Sequence, residues 1–260
     1  MIGNEIHEVI DDTNVTVYPV SFVVITRNED LAHLSRMIET LPSNCEVCVL
    51  SNGQGETDSV SEIETIRDGT RTIRSMKWVY SGSFHFGHAR NLADSMATND
   101  WRFWIDSDDR LAHCQHGIIA RVANEAPPGI GGAFAGVVSY EPDHAGKTHK
   151  NIGGVTCDYQ LRMYRGSCGG QWIGRVHEQI YPSLQGLGWG TVPTNVIVIH
   201  EGYNAPLAKR MEKMERNVEL LLLEVSENQD PAMRSFYANA LRDSMNAMTE
   251  MQLTLKEEKQ

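Results

Sequence analysis

Three carboxylates fall within four positions at Asp106, Asp108 and Asp109, directly after the apolar run Trp101, Phe103, Trp104 and Ile105. Carboxylates this close repel one another unless positive charge lies between them. Hard cations such as Mg2+ and Mn2+ take carboxylate oxygens and keep positions open for phosphate oxygens. Asp106 and Asp108, two apart at the end of a buried strand, can reach one such cation from a turn. In a surface loop the same D-x-D pair is merely solvated, and it is the run of aromatic and aliphatic residues before it that favours the cation site.

The elements needed to hold that turn can be read along the chain. Tyr18 to Thr26, Glu46 to Leu50, Met76 to Tyr80 and Trp101 to Ile105 are short β-rich runs that predict buried strands. Between them, Leu31, Leu34, Ile38 and Leu41 have helical spacing, and helices are expected at Thr57 to Ile66, His85 to Ala97 and His113 to Asn124. Ser51-Asn52-Gly53-Gln54-Gly55 is expected as a glycine turn after the second strand. Alternation of strand and helix predicts an α/β fold with a mostly parallel sheet flanked by helices, its ligands at the carboxyl ends of the strands. After Pro127-Pro128, Gly131 to Tyr140 and Asp158 to Arg165 are expected as longer, antiparallel strands, and Thr194 to His200 as the last strand. From Pro206 two apolar-striped segments predict a C-terminal helical hairpin that caps the core. The chain divides into an N-terminal tail (1–14), one large domain (15–204, with halves 15–125 and 126–204) and a helical extension (205–260).

Composition narrows the class. A net charge of -11 in 260 residues argues against broad binding to nucleic-acid backbones, which needs a basic footprint. The Lys147–Lys150 stretch KTHK is a basic cluster in the segment between the two longer strands, and it leaves nucleic acid as a partner that net charge does not favour. Five cysteines in a chain this long do not form a disulfide framework, so reduced thiols and a cytoplasmic, intracellular setting are expected. Cys45 and Cys48 have zinc-knuckle spacing but lie in an apolar run with no second pair. The N-terminus lacks the charge and apolar pattern of a signal peptide, and no apolar run is long enough to span a bilayer.

No G-x-G-x-x-G follows the first strand and no phosphate-loop Lys-Ser/Thr follows a glycine run, which disfavours dinucleotide and P-loop enzymes. Instead SFVVITRNE, VLSNGQGETDS and FGHARNLADSMATNDWRFWIDSDD, followed in order by LRMYR, GRVHEQI and VIHEGY, resemble the family-2-type glycosyltransferases with a GT-A fold. The most specific part is Ala89-Arg90-Asn91, one helix ahead of the strand that ends in D-x-D. The resemblance spans about Val20 to Tyr203.

The resemblance implies a nucleotide-sugar donor, most simply a UDP-sugar, with Mn2+ or Mg2+ as cofactor. It implies that the Thr26 to Glu29 loop, with Asn28 and Glu29, cradles base and ribose; capping of the next helix is the alternative use of Asn28. An Asp is usual directly after the second strand, where this chain has Ser51 with Asn52 beside it, and Asp58 matches a later Asp of that motif. Arg90 is expected near the diphosphate or holding the D-x-D loop, with a surface salt bridge as the alternative. Asp106 is expected at the ribose or around the metal, Asp108 on the metal, and Asp109 facing outward or bonding Arg110. His200 resembles a late histidine that completes the metal's ligands. Glu178 is the candidate base that deprotonates the acceptor hydroxyl, with His177 as fallback. Trp172 is a sugar-stacking or core residue, and Arg162 and Arg165 are contacts to phosphate or an anionic acceptor, or else exposed strand charges.

The function expected is therefore metal-dependent, inverting transfer of a hexose to a hydroxyl on a glycan, protein, small molecule or hydroxylated nucleobase. Two alternatives stand beside it: a non-catalytic nucleotide-sugar-binding scaffold, which the Ser51 departure favours, and a sugar nucleotidyltransferase, which TRNED after the first strand disfavours.

Overall fold

Val20, Phe22 and Val24 alternate with Val23 and Ile25, and in the folded chain every one of these side chains is buried. A strand apolar on both faces belongs inside a sheet covered on both sides, and this one, β1 (Val20–Arg27), does. The computed structural model describes residues 17–27, 31–140, 155–201 and 207–257. One face of β1 packs with Met37 of α1 (Leu31–Glu39) and Ile119 of α3 (Cys114–Glu125). The other packs with Ala89, Ala93 and Met96, contributed by and just after α2 (Phe86–Asp94).

The central strands β5 (Arg71–Tyr80), β2 (Glu46–Gln54), β1 and β6 (Trp101–Trp104) lie side by side and parallel. Antiparallel β9 (Val155–Arg165) then joins β6 to β8 (Ile130–Tyr140), and β10 (Gly190–His200) runs parallel to β8. Short β7 (Asp109–Leu111) closes that edge against β10. The expected α/β class is met: a mixed sheet with a parallel centre, helices on both faces, and a C-terminal hairpin of α5 (Leu207–Glu227) and α6 (Pro231–Glu257). Among the described residues no helix is long and apolar enough to cross a membrane.

Two local expectations fail. Thr57 to Ile66 is not a helix; it supplies β3 (Ser59–Val60) and β4 (Glu64–Asp68), both antiparallel to the outer edge of β5. Val60, Ile63 and Ile66 mimic a helical stripe by their spacing of three, yet all are exposed. Gly69, with φ 60°, instead turns the chain from Asp68 to Arg71 across a two-residue loop, the hairpin signal of a flexible residue at positive φ. Ser51 to Gln54 is not a turn either, because β5 offers a paired partner at every position from Glu46 to Gln54. Cys45 and Cys48 pack in the clusters on opposite faces of the sheet, and burial pushes the Cys45 thiol up to about 12. The tail 1–14, Asn28, Glu29 and the KTHK stretch lie outside the described residues.

Candidate active site

The acidic turn begins where β6 ends. Ile105 is buried and donates its backbone N–H to Val23, so the chain leaves the sheet in register with β1. The turn then closes on itself: Asp109 N–H donates to the Asp106 carbonyl at 3.0 Å and the Asp109 carboxylate accepts the Asp106 N–H at 2.9 Å. Asp109 opens β7 directly across from His200 at the end of β10. Opposed residues of an antiparallel pair bring their side chains together, and His200 Nδ1 lies 2.8 Å from Asp109 Oδ1 and 3.7 Å from Asp108 Oδ1.

Asp109 therefore does not face outward. It is fully buried, and its second oxygen accepts from Arg162 Nη1 at 2.7 Å. The Arg162 guanidinium in turn lies 3.6 Å from the centre of the Trp104 ring. Arg110 bonds the Asp109 backbone carbonyl at 2.6 Å and takes a different carboxylate, Glu201, at 2.9 Å. A carboxylate at 0% exposure needs a buried cation, and Arg162 is that cation rather than an exposed strand charge. Arg165 does not reach the site; it lies over Trp101 and bonds Asp100 and the carbonyls of Ala126 and Ile130.

Ala89, Arg90 and Asn91 divide their work along α2. Ala89 packs on the sheet. Asn91 exchanges two hydrogen bonds with the backbone of Trp172, both at 2.9 Å. Arg90, buried, donates from Nε to Glu178 at 2.6 Å and from Nη2 to Asp106 at 3.1 Å. Its guanidinium lies 4.1 Å from the Trp104 ring centre and 5.1 Å from that of Trp172, so each ring face meets the cation. Trp172 is accordingly an interior wall.

The loop carrying Glu178 is held from three sides. Its ends pair at Ile173 and Gln179. The N–H groups of Phe86 and Gly87, which start α2, donate to the carbonyls of Arg175 and Gly174 at 2.9 Å. From the hairpin, Glu224 accepts the Arg175 N–H and Tyr237 fills the space over Gly174, whose φ of 99° and absent Cβ both matter there. His177 has φ 51°, the one positive value at a non-glycine among the described residues, and sits exposed at the rim.

The charges of the turn are unequal. Burial opposes ionisation of Asp106, but the Arg90 guanidinium, with Arg162 and His200 behind it, outweighs burial and brings the carboxyl down to about 2. Burial and the neighbouring Asp106 push Asp108 up. Burial works against a charged His200, yet the Asp109 hydrogen bond and the surrounding carboxylates raise it overall. One ligand atom each from Asp106, Asp108, Asp109 and His200 can be chosen with all four within 4.8 Å of one another. Both Asp109 oxygens are committed to Arg162, His200 and the turn, which leaves Asp106, Asp108 and His200 as the donors facing the cleft.

That cleft, of about 580 Å3, is lined by Arg90, Trp104, Asp106, Asp108, Glu178 and His200, a size suited to a small molecule. A smaller cavity of about 120 Å3 continues from it past Ile25, Ser107 and Phe86, which border both. Thr26 and Asn52 line the smaller one, with the Asn52 amide donating to the Thr26 carbonyl at 2.6 Å. Ser51 lines neither; it lies in β2 between Thr26 and Lys77. Asp58 accepts from Ser81 instead of capping a helix. α5, expected as a cap on the core, also reaches the site: Lys213 and Asn217 line the cleft and Arg216 the smaller cavity.

Behind Trp172, Asp94 accepts from the Tyr164 hydroxyl at 2.5 Å and from Trp172 Nε1 at 3.2 Å. Burial outweighs these bonds and lifts its carboxyl from 3.8 to about 6. The folded protein thus holds the Asp94 proton to higher pH than the unfolded chain. Asp94 should then lower stability as pH rises from about 4 to about 6, with the full loss, on the order of 3 kcal/mol, present above that window. Denaturant unfolding of the parent and of Asp94→Asn at about pH 4 and about pH 7 tests this. The variant should compare more favourably at the higher pH, and a pH-independent difference would contradict the assignment.

No family model and no curated protein matches the chain. Among solved structures it is similar to TarS of S. aureus. For TarS 1-349 the identity is 10% and the TM-score 0.40, over 87% of this chain and 70% of that one. For TarS 1-349 in complex with UDP-GlcNAc they are 11% and 0.39, over 87% and 71%. A further TarS structure gives 12% and 0.38, over 86% of this chain and 43% of that one. A likeness this distant says nothing of substrate or activity.

Proposed function

We propose that this chain is a metal-dependent, inverting glycosyltransferase that moves a hexose from a UDP-sugar to an acceptor hydroxyl, through a site made by the 15–204 domain and roofed by the 205–260 extension. The observation that carries the reading is Arg90, which joins the D-x-D carboxylate Asp106 to Glu178 on the far wall of one cleft. That arrangement supports a reading in which the donor lies toward Asp106 and the acceptor toward Glu178.

The donor set fits a divalent cation: two carboxylates and an imidazole suit Mn2+, and the carboxylates alone suit Mg2+. Asp106, Asp108 and His200 would hold it, with Asp109 orienting the imidazole as second-layer carboxylates do. Such an ion supplies positive charge against a departing diphosphate. The chain's own residues do the rest. Thr26 and Asn52, bonded to each other, would wall the nucleoside end, and Trp104 and Trp172 keep water from Arg90. Glu178 keeps Oε1 on Arg90, so its other oxygen is the one to take the acceptor proton. His177 at the rim is a donor to the leaving phosphate.

Titration of UDP by calorimetry, with Mn2+ and then with excess EDTA, tests the donor reading. Metal-dependent binding is expected, and Asp108→Ala should weaken it by more than about 100-fold, beyond the loss that a supporting residue gives. Unchanged metal-dependent affinity in the variant would remove Asp108 from the site. Absence of UDP binding in both conditions would remove UDP as the donor.

Glu178 bound to Arg90 also favours a second reading, a nucleotide-sugar-binding scaffold in which Glu178 is only a counter-charge. UDP release from UDP-hexoses by the parent, lost in Glu178→Gln, favours the transferase, and its absence in the parent favours the scaffold.

A further inference from the structure

The Met and Leu stripe that docks α5 hides a cationic edge. Lys213, exposed, borders the cleft beside Asp108, and Arg216, less than one turn on, borders the smaller cavity. Arg216 lies over the Phe86 ring at 5.4 Å and donates from Nη2 to Asn217 at 3.2 Å, while its Nε is buried without a hydrogen-bond partner. A buried guanidinium N–H left unmatched is uncommon. Arg27 borders the same cavity, and burial followed by its charge disfavours the charged form of Arg216 more than Tyr80 and Glu178 favour it. Among the described residues no ion pair joins Arg27, Lys213 or Arg216 to a carboxylate. Two like charges beside one small cavity, with a third at the mouth of the adjoining cleft, are an arrangement that a polyanion relieves.

We infer that α5 forms the cationic wall of an oligophosphate-binding site, in which Arg216 and Lys213 receive the phosphates of a nucleoside diphosphate lying along the passage past Ser107. The extension is on this view part of the binding site and more than a cap on the core. The inference deepens the donor reading and rests on it for the nucleoside, but phosphate recognition stands on the α5 residues themselves. Arg216 offers the Nη end of its guanidinium and Lys213 a point charge, which are complementary ways of meeting phosphate.

The test is titration of uridine, UDP and inorganic pyrophosphate into the full chain with Mn2+, and of ADP, GDP and CDP should UDP not bind. The variants are Lys213→Ala, Arg216→Lys and Arg216→Gln, each first matched to the parent by thermal unfolding. Each neutral variant should weaken the diphosphates by about 10-fold or more and leave uridine unchanged, with Arg216→Lys intermediate and the salt dependence of binding shallower. Diphosphate affinity unchanged in both neutral variants would overturn the α5 site while leaving the UDP donor standing. Equal losses for uridine and UDP would also overturn it, as a packing effect. Pyrophosphate binding that falls in the variants, with no nucleotide bound by the parent, would keep the α5 site and reject the UDP donor. No binding of any probe by the parent would reject both.

Discussion

Glu178→Gln is expected to bind UDP with Mn2+ as the parent does and to release UDP from UDP-hexoses about 10²–10⁴-fold more slowly, the loss that follows removal of a general base. The substitution is close to isosteric. Gln keeps an oxygen that accepts from Arg90 Nε, where the carboxylate now accepts at 2.6 Å. The Gly174–Gln179 loop is held by α2, by Glu224 and by the Ile173–Gln179 pair, none of which the variant touches. What is lost is the negative charge and the ability to take a proton. Turnover should therefore fall while binding stays, the signature of an interaction made in the transition state. A stability loss of about 1–3 kcal/mol is expected alongside, because a charge-assisted bond becomes a neutral one. The measurement is UDP release from a panel of UDP-hexoses with sugar, polyol and peptide-hydroxyl acceptors. Undiminished release would leave Glu178 as the counter-charge of Arg90 and put the base elsewhere, whereas no release by the parent with any acceptor would favour the scaffold.

Much of this frame was legible in the chain because burial and strand order write themselves into residue type. The doubly apolar β1, the aromatic run before Asp106 and the Ala89-Arg90-Asn91 segment each constrain their own surroundings. What escaped depends on partners far along the chain. Nothing around Asp109 announces Arg162 and His200, which lie 53 and 91 positions away and meet it only when β7, β9 and β10 assemble. Nor does the stripe of α5 announce that the residues beside it face a cavity. The β3 and β4 edge is of another kind: the spacing of three at Val60, Ile63 and Ile66 imitates a helix, whereas Asp68-Gly69 turns a hairpin that leaves those side chains exposed. Ser51 shows the limit of transferring a motif, since the strand continues through it and leaves Thr26 and Asn52 at the cavity.

Arg90→Met should lower stability by about 3–5 kcal/mol, the range found when one partner of a buried ion pair is removed. Arg90 is 4% exposed and holds two carboxylates at once. Met fills much of the same volume between Trp104 and Trp172, so the loss comes from orphaned charge more than from an emptied space. Asp106, already close to Asp108 and Asp109, would keep only Arg162 and His200 as positive neighbours. Lys restores the charge but lacks the planar fork, so Arg90→Lys should recover part of the loss and still misplace Glu178 or Asp106. The decisive comparison is the pair Arg90→Met and Glu178→Gln, made singly and together, by denaturant unfolding in EDTA. Neutralising Glu178 removes one of the charges that the Met variant strands. The double variant should accordingly be less destabilised than the sum of the singles, by about 0.5–3 kcal/mol. Simple additivity would mean that the two residues do not act through their contact, and the bridge between the acidic turn and the Glu178 loop would lose its basis.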